Sequence, residues 1–486
     1  MSGDALKRGA RGGSTVILGQ ILRIGIQLTG TVALARLLSP ADFGLVAMVM
    51  VFTSFGALLR DFGISTAALQ ARTLTHQQAS NLFWFSTSLS AAVAILLVAS
   101  TPLLIGLYAE PRLSAVAPAL AVGLLLDGVQ SQVQVQLARS MRYLALTLTD
   151  LVAQAFALAV AVLTALAGWG YWALVAQVLT ASVSTLASRT AVSRWLPTLP
   201  RRRQGSGELV RAGSEFGLAQ ILTFAASNVD SLMIGARWGA IELGLYNRAF
   251  QIYQLPRVGI LDPLTQVAIP TVNSATENGA HRATDLLLRI QFLISFLVTW
   301  MYLVAAATAD WLIPLALGGQ WGRSVVLFQL LAIAGVFAAF GTVSYWTFIV
   351  SQQSRQLLYL HLVTKPLAVA LILVATPLGV EAVALAFAAG LAIAWPINLT
   401  WLARTVRQDS WAFFRMGMRV ISAAAVAFSL TRWILGLLPA LSAWAIIPIG
   451  TAIATLFYVL AILVVPGGLR QLAQAARNAR TILGRR

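Results

Sequence analysis

Two stretches of the chain, 200 residues apart, repeat the same short phrases and decide the fold class. The first copy reads Gly19-Gln20-Ile21-Leu22 and then Asp42-Phe43-Gly44-Leu45. The second copy reads Ala219-Gln220-Ile221-Leu222 and then Glu242-Leu243-Gly244-Leu245. Between the phrases of each copy, with a slip of one residue, lie Ala35-Arg36 and Ala236-Arg237. Self-similarity at this period indicates a duplicated half, which is the usual build of membrane transporters.

The composition is that of a membrane protein. Hydrophobic residues make up 58% of the chain, charged residues only 10%, and the mean hydropathy is +0.80. The apolar residues occur in blocks of about 20 to 28, long enough to cross roughly 30 Å of hydrocarbon as helices. There is no cysteine, and the three histidines, His76, His281 and His361, show no ligand spacing. We therefore expect no metal and no other cofactor.

Apolar segments bounded by proline, glycine and charged residues predict about fourteen membrane spans. They run near 14–38, 44–69, 80–108, 112–138, 144–167, 171–193, 213–236, 243–270, 285–308, 325–351, 357–376, 380–403, 416–438 and 444–466. The predicted fold class is an all-α polytopic membrane protein.

The charge distribution predicts the orientation. An even number of spans places both termini on one side, where the loops carry roughly 22 Lys and Arg, whereas the opposite loops carry roughly four. Those four are Arg36, Arg112, Arg237 and Arg323. Basic residues accumulate in cytoplasmic loops, so both termini are predicted to be cytoplasmic. The same rule explains the net charge of +18 without nucleic acid as a partner.

The polar stretch 197–207 separates the two copies and sets the predicted domains. An N-lobe covers 1–196 with spans one to six, a basic cytoplasmic linker covers 197–212, and a C-lobe covers 213–404 with spans seven to twelve. The remainder, 405–486, holds spans thirteen and fourteen and a basic cytoplasmic tail. Both lobes enter from the cytoplasm, which predicts a parallel pseudo-twofold axis along the membrane normal. The three arginines of the linker are most simply interpreted as part of a solvated segment, and binding of lipid headgroups is the alternative interpretation.

Several charges lie inside predicted spans, where an ionised side chain costs about 2.5–3.5 kcal/mol and needs a partner, a wet cavity or a function. The cations are Arg23, Arg60, Arg248, Arg257 and Lys365, and the carboxylates are Asp61, Asp127, Asp230 and Asp262. Asp61 is matched by Asp262 at an offset of 201, and Arg60 approximately by Arg257, so spans two and eight are expected to line a central cleft. Internal ion pairs that lock helices are one interpretation. An anion site is the other, since guanidinium matches phosphate oxygens.

Three motifs resemble the polysaccharide flippase branch of the multidrug and oligosaccharidyl-lipid exporter superfamily. They are Leu34-Ala35-Arg36-Leu37-Leu38-Ser39-Pro40-Ala41-Asp42-Phe43-Gly44, Asp230-Ser231-Leu232-Met233-Ile234-Gly235 and Leu243-Gly244-Leu245-Tyr246-Asn247-Arg248-Ala249. The resemblance implies two six-helix lobes with two extra C-terminal helices in the bacterial inner membrane. It also implies the substrate, an oligosaccharide repeat unit on undecaprenyl pyrophosphate, which is turned to the periplasmic leaflet for capsule, exopolysaccharide or O-antigen.

The resemblance implies that cavity arginines hold the pyrophosphate. Carried over to this chain, the candidates are Arg60 and Arg257 first, then Arg23 and Arg248. For coupling to H⁺ or Na⁺, the candidates are Asp61, Asp262, Asp127 and Asp230. Rocking of the two halves would expose the site to each side in turn. We expect a monomer whose partners are the lipid-linked oligosaccharide, membrane lipids, and polysaccharide polymerase and chain-length proteins.

Three other classes of protein compete with this interpretation. A flippase for the peptidoglycan precursor would share the architecture and the lipid anchor. A drug exporter of the same superfamily would more often show twelve spans and acidic cavity residues. A membrane glycosyltransferase, polymerase or ligase would need a substantial outer loop or a paired-carboxylate site, and the sequence shows neither, so the chain is predicted not to be an enzyme.

Overall fold

The structure, a computed structural model, is helical and contains no strand in the residues that it describes. These residues are 3–61, 65, 68–69, 71, 73–201, 206–277, 280–406, 409–439 and 441–464. Among them, the side chains of 3–18, 21, 206–223, 225–226, 275–283 and 354 are not described. The predicted all-α class is confirmed.

The chain divides into two compact units, Met1–Gly244 and Leu245–Arg486. The helices that begin in the first unit are α1 Gly3–Leu37, α2 Pro40–Asp61, α3 His76–Ala99, α4 Thr101–Tyr108, α5 Leu113–Arg139, α6 Tyr143–Leu166, α7 Trp172–Ser193 and α8 Ser206–Pro256. Those of the second unit are α9 Asp262–Glu277, α10 Ala280–Ala307, α11 Ala309–Leu317, α12 Ser324–Val350, α13 Ser354–Ala375, α14 Val380–Thr405, α15 Ser410–Leu437 and α16 Ala443–Val464. The lobe boundaries and the twofold axis drawn from the sequence repeat stay predictions.

Ten helices in the described part of the chain are long and apolar enough to span a membrane. They lie in α2, α3, α5, α6, α10 and α12 to α16. Predicted spans one, six and seven fall on α1, α7 and the first part of α8. In the first unit α5 packs between α3 and α7, and in the second α12 packs on α10 and α14.

The helical path departs from the predicted span pattern at three places. Span eight, predicted over 243–270, stops at Pro256, continues as one π-helical turn over Arg257–Leu261, and resumes as α9. Pro263 and Pro256 lack the backbone N–H that a continuous α-helix needs, which explains the change of winding. Span three is divided at Ser100, just before Pro102. The segment between predicted spans nine and ten contains α11 and a short 3₁₀ turn, Gly319–Trp321.

The repeated phrase begins a helix in both copies. Ser39 caps α2: its N–H donates to Asp42 Oδ2 (2.9 Å), and Asp42 N–H donates to Ser39 Oγ (3.3 Å). Pro40 occupies the first helical position, where its missing N–H is not needed. In the second copy, 200 residues after Ser39, Gly239 interrupts α8 with a φ of 83°, a conformation that glycine adopts without strain. Each copy therefore encodes a break followed by a new helix start.

The two copies of the phrase also touch one another within the first unit. A Cβ atom added to Gly44 would overlap the backbone carbonyl of Ala240, and one added to Gly244 would overlap the carbonyl of Pro40. The contact is reciprocal because Pro40 and Ala240 occupy equivalent places in the repeat. The glycine of each phrase is therefore required for close approach of backbone to backbone.

The beginning of the predicted linker is bound to α3 rather than solvated. Trp84 Nε1 donates to Thr198 O (2.9 Å) and Gln77 Nε2 donates to Leu199 O (2.9 Å). Asn81 donates through Nδ2 to Arg201 O (2.7 Å) and accepts from Arg201 N–H (2.9 Å). Residues 77, 81 and 84 share one face of α3. The solvated-linker interpretation is corrected for 198–201, and Arg202 and Arg203 lie outside the described residues.

Candidate substrate-binding site

Arg60 lies in the last turn of α2, and its guanidinium retains hydrogen-bonding capacity. Nε and Nη1 are buried and have no hydrogen-bond partner among the residues that the structure describes. Asp127 and Asp61 lie close enough to favour its positive charge. Leaving a buried donor unsatisfied costs about 1–3 kcal/mol, so a guanidinium in this state is suited to a ligand that supplies acceptor oxygens. The structure thus brings Arg60 together with two of the four carboxylates predicted for ion coupling.

Neighbouring side chains orient the two carboxylates around Arg60. Gln130 Nε2 donates to Asp127 Oδ1 (2.9 Å), and the hydroxyl of Ser65 donates to Asp61 Oδ1. Gly128 makes room for this arrangement on α5, because a Cβ at that position would overlap Ser90 and would lie 3.5 Å from Cδ of Arg60. Glycine is therefore required at this position by the contact with Ser90, and the stem of Arg60 lies next to it.

In the second unit, basic side chains lie near one another around Arg257. Arg257 is exposed at the start of the π-helical turn, and its charge acts on Lys365 of α13 and on Tyr302 of α10. Lys365 in turn lies close enough to His361 to act on it. Two like charges at short range repel, and an anion bound beside both would relieve this repulsion. The sequence had shown Lys365 only as an isolated charge within a span, because no spacing in the chain links it to Arg257.

The remaining candidates occupy separate places. Arg248 donates through Nη1 to Gln251 Oε1 (2.6 Å). Arg23 is exposed on α1 and Asp262 is exposed in the first turn of α9, whereas Asp230 is buried. Arg60 and Arg257 belong to different units, so the predicted meeting of the two in one cleft stays a prediction.

One buried ion pair was missed in the sequence. Arg189 of α7 is buried and donates through Nη2 to Asp150 Oδ1 of α6 (2.6 Å). Its Nη1 donates to Gln130 Oε1 (2.8 Å) and Gln134 Oε1 (3.0 Å) of α5. Glutamines alternate over 130–136, so at least one face of this helix must meet water or protein rather than lipid. These contacts show that it meets an arginine, and Gln130 links this pair to Asp127.

We expect Arg189→Ala to destabilise the protein by about 3 kcal/mol, the lower end of the range for a buried pair, because half-buried Asp150 would lose its cationic partner. Thermal unfolding in detergent, with exposed Arg404→Ala as the control, measures this loss. The double variant Arg189→Met with Asp150→Leu should recover most of the stability, since it removes both charges. An unfolding temperature of Arg189→Ala equal to that of the control would contradict the assignment.

Ten long apolar helices in the described part of the chain define an integral membrane protein. The chain belongs to the polysaccharide biosynthesis protein family, whose model matches residues 33–326.

Named relatives are found in several bacteria. The chain is 26% identical to the teichuronic acid biosynthesis protein TuaB of Bacillus subtilis, over 64% of this chain and 65% of that protein. It is 23% identical to the succinoglycan biosynthesis transport protein ExoT of Rhizobium meliloti, over 65% of this chain and 64% of that protein. It is 20% identical to the lipopolysaccharide biosynthesis protein WzxC of Escherichia coli, over 66% of this chain and 65% of that protein. Each match spans slightly less than two thirds of the relative's own length.

Solved structures share the fold. The inward closed conformation of the lipid II flippase MurJ has a TM-score of 0.72 at 11% identity and covers 92% of this chain and 98% of that chain. An inward-facing multidrug transporter of the MATE family has a TM-score of 0.59 at 15% identity and covers 81% of this chain and 94% of that chain. At these identities the likeness concerns the fold alone.

Proposed function

We propose that this protein flips undecaprenyl-pyrophosphate-linked oligosaccharide repeat units from the cytoplasmic to the periplasmic leaflet by alternating access. The product would be exopolysaccharide, capsule or O-antigen. The observation that carries the proposal is Arg60, whose buried Nε and Nη1 have no acceptor among the described residues, in a chain of the polysaccharide biosynthesis family. Named relatives in succinoglycan transport and lipopolysaccharide biosynthesis support the substrate class.

The physics of the substrate assigns a role to the basic groups. The head is polar, bulky and anionic, whereas the prenyl tail is stable in lipid, so only the head needs a basic, wet path. We assign the pyrophosphate to Arg60 and Arg257 first, with Arg23 and Arg248 as further contacts, and we add Lys365 because it lies near Arg257. Movement of an uncompensated −2 head outward across a cytoplasm-negative membrane is favourable by roughly 4–5 kcal/mol per 100 mV.

Coupling to an ion would use carboxylates beside this path. Asp61 and Asp127 are the stronger candidates, because binding of H⁺ or Na⁺ there would change the charge next to Arg60. Asp230 and Asp262 are the candidates beyond this group. The protein would lie in the bacterial inner membrane with both termini in the cytoplasm, consistent with the basic loops on that side. It would act as a transporter and not as an enzyme.

A second candidate function is flipping of the peptidoglycan lipid precursor. The observation that favours it is the fold shared with the lipid II flippase MurJ over nearly the whole of both chains. That precursor carries the same class of anchor with a different sugar head, so the two candidates predict the same arginine contacts and differ in the head that is accepted.

Flipping by the purified protein in proteoliposomes tests the proposal. Vesicles would contain fluorescent undecaprenyl-pyrophosphate oligosaccharide or lipid II, and accessibility of the label to an outside quencher would report transfer. We expect protein-dependent transfer of the oligosaccharide carrier and little transfer of lipid II. Transfer of lipid II alone would establish the second candidate, and transfer of neither, at a potential of either sign, would contradict both.

A further inference from the structure

An apolar groove lies on the surface of the first unit, between α3, α5 and α7. Its volume is about 550 Å³, within the range of roughly 300–1,000 Å³ that is usual for ligand sites. Phe83, Val129, Val133, Leu186, Ala187 and Trp195 contribute to its walls, and Thr190 is the only polar residue among those that line it in the described part of the chain. The groove is thus suited to a hydrocarbon chain and not to a polar head.

The groove depends on the docked start of the linker. Trp195, Leu196 and Pro197 form one wall, and they precede the residues whose backbone is hydrogen-bonded to α3. Thr198 N–H also donates to Ser80 Oγ (3.0 Å), so the wall is held directly at its end. The ring of Trp195 packs against Phe83, with 6.0 Å between centroids. The groove is therefore a built feature with a fixed wall.

One end of the groove is basic. Arg194 follows α7 directly and is exposed, and it adopts a left-handed conformation with a φ of 52°. Arg142 is also exposed and donates through Nη1 to Val192 O (3.0 Å), next to the lining residue Ala191. Two exposed cations beside an apolar groove match a lipid with an anionic, oxygen-rich head.

We propose that this groove binds one acyl chain of an anionic phospholipid, whose phosphate lies at Arg194 and Arg142. Filling the groove would support the wall formed by 195–197 and thereby stabilise the docked part of the segment that leads to α8. The site lies on the α3–α5–α7 surface and does not use the arginines assigned to the transported head. The proposal therefore does not depend on the identity of the substrate.

Native mass spectrometry of the purified protein measures the binding, with phosphatidylglycerol and phosphatidylethanolamine of identical chains as probes. We expect one phosphatidylglycerol to be retained preferentially. Arg194→Ala and Arg142→Ala should each weaken its binding by about fivefold, the factor for one basic residue at an anionic surface, and should leave phosphatidylethanolamine unchanged. Arg404→Ala is the matched control, because it removes an exposed arginine elsewhere.

A second variant tests whether the apolar groove itself holds the acyl chain. Ala187→Trp, at an exposed position in the groove wall, should fill the groove and abolish preferential retention, whereas Val152→Trp on the exposed face of α6 should not. Equal retention of the two lipids by the wild type would overturn the proposal, as would undiminished phosphatidylglycerol binding by Ala187→Trp. Binding of undecaprenyl phosphate in place of phosphatidylglycerol would also overturn it and would assign the groove to a prenyl chain.

Discussion

Replacement of Arg60 by alanine is expected to slow flipping of the lipid-linked oligosaccharide by about 10- to 100-fold. The reason is that hydrogen bonds from a charged donor to phosphate oxygens contribute about 1.5–3 kcal/mol, and Nε and Nη1 of Arg60 have no acceptor within the described part of the chain. Arg60→Lys should recover part of the rate, because it keeps the charge and loses the planar fork. The proteoliposome assay gives the rates, and exposed Arg415→Ala serves as the control.

The double variant Arg60→Ala with Asp127→Asn distinguishes two roles of Arg60. In one role Arg60 binds the substrate, and in the other it only forms an ion pair with Asp127 that holds helices together. If Arg60 only neutralised Asp127, removal of both charges would restore the unfolding temperature and the flipping rate together. If Arg60 binds the pyrophosphate, the double variant would recover stability, while its flipping would stay slower than that of Asp127→Asn alone. Full flipping by Arg60→Ala at a normal protein level, or by the double variant, would remove Arg60 from the site.

Replacement of Gly44 by alanine is expected to destabilise the described conformation by about 3 kcal/mol, because the new methyl group would overlap the backbone carbonyl of Ala240. A backbone cannot rotate away as a side chain can, so α2 itself would have to shift. Thermal unfolding in detergent measures the loss. Gly106→Ala on α4 is the matched control: a Cβ there meets open space, and alanine favours the helix by about 1 kcal/mol.

The reciprocal geometry makes a second variant informative. Gly244→Ala should cost about as much as Gly44→Ala, since its methyl group would overlap the carbonyl of Pro40. The double variant should cost much less than the sum, because one displacement of the two segments accommodates both methyl groups. Additive losses, or a Gly44→Ala variant as stable as Gly106→Ala, would contradict the close approach of the two phrases.

Local chemistry explains why much of the architecture was predictable. Ser39, Pro40 and Asp42 carry the signals of a helix start, and the structure begins α2 there with a reciprocal cap. The apolar blocks predicted spans because a backbone in hydrocarbon must satisfy its own hydrogen bonds, which a helix does. Pro256 was visible as a helix breaker, yet the sequence did not show whether the chain would bend or change its winding, and the π-helical turn was missed.

The candidate site shows the same difference between what local sequence chemistry predicts and what only helix packing determines. The sequence by itself determined that charges such as Arg60, Asp127, Arg257 and Lys365 lie in apolar segments, because residue type and local hydropathy suffice for that. Only the tertiary structure decided that Asp127 lies beside Arg60, that Lys365 lies beside Arg257, that Arg189 takes its partners from α5 and α6, and that 198–201 binds to α3. These partners are separated by tens of residues or more, and side chains that distant meet only where the packing of whole helices brings their faces together.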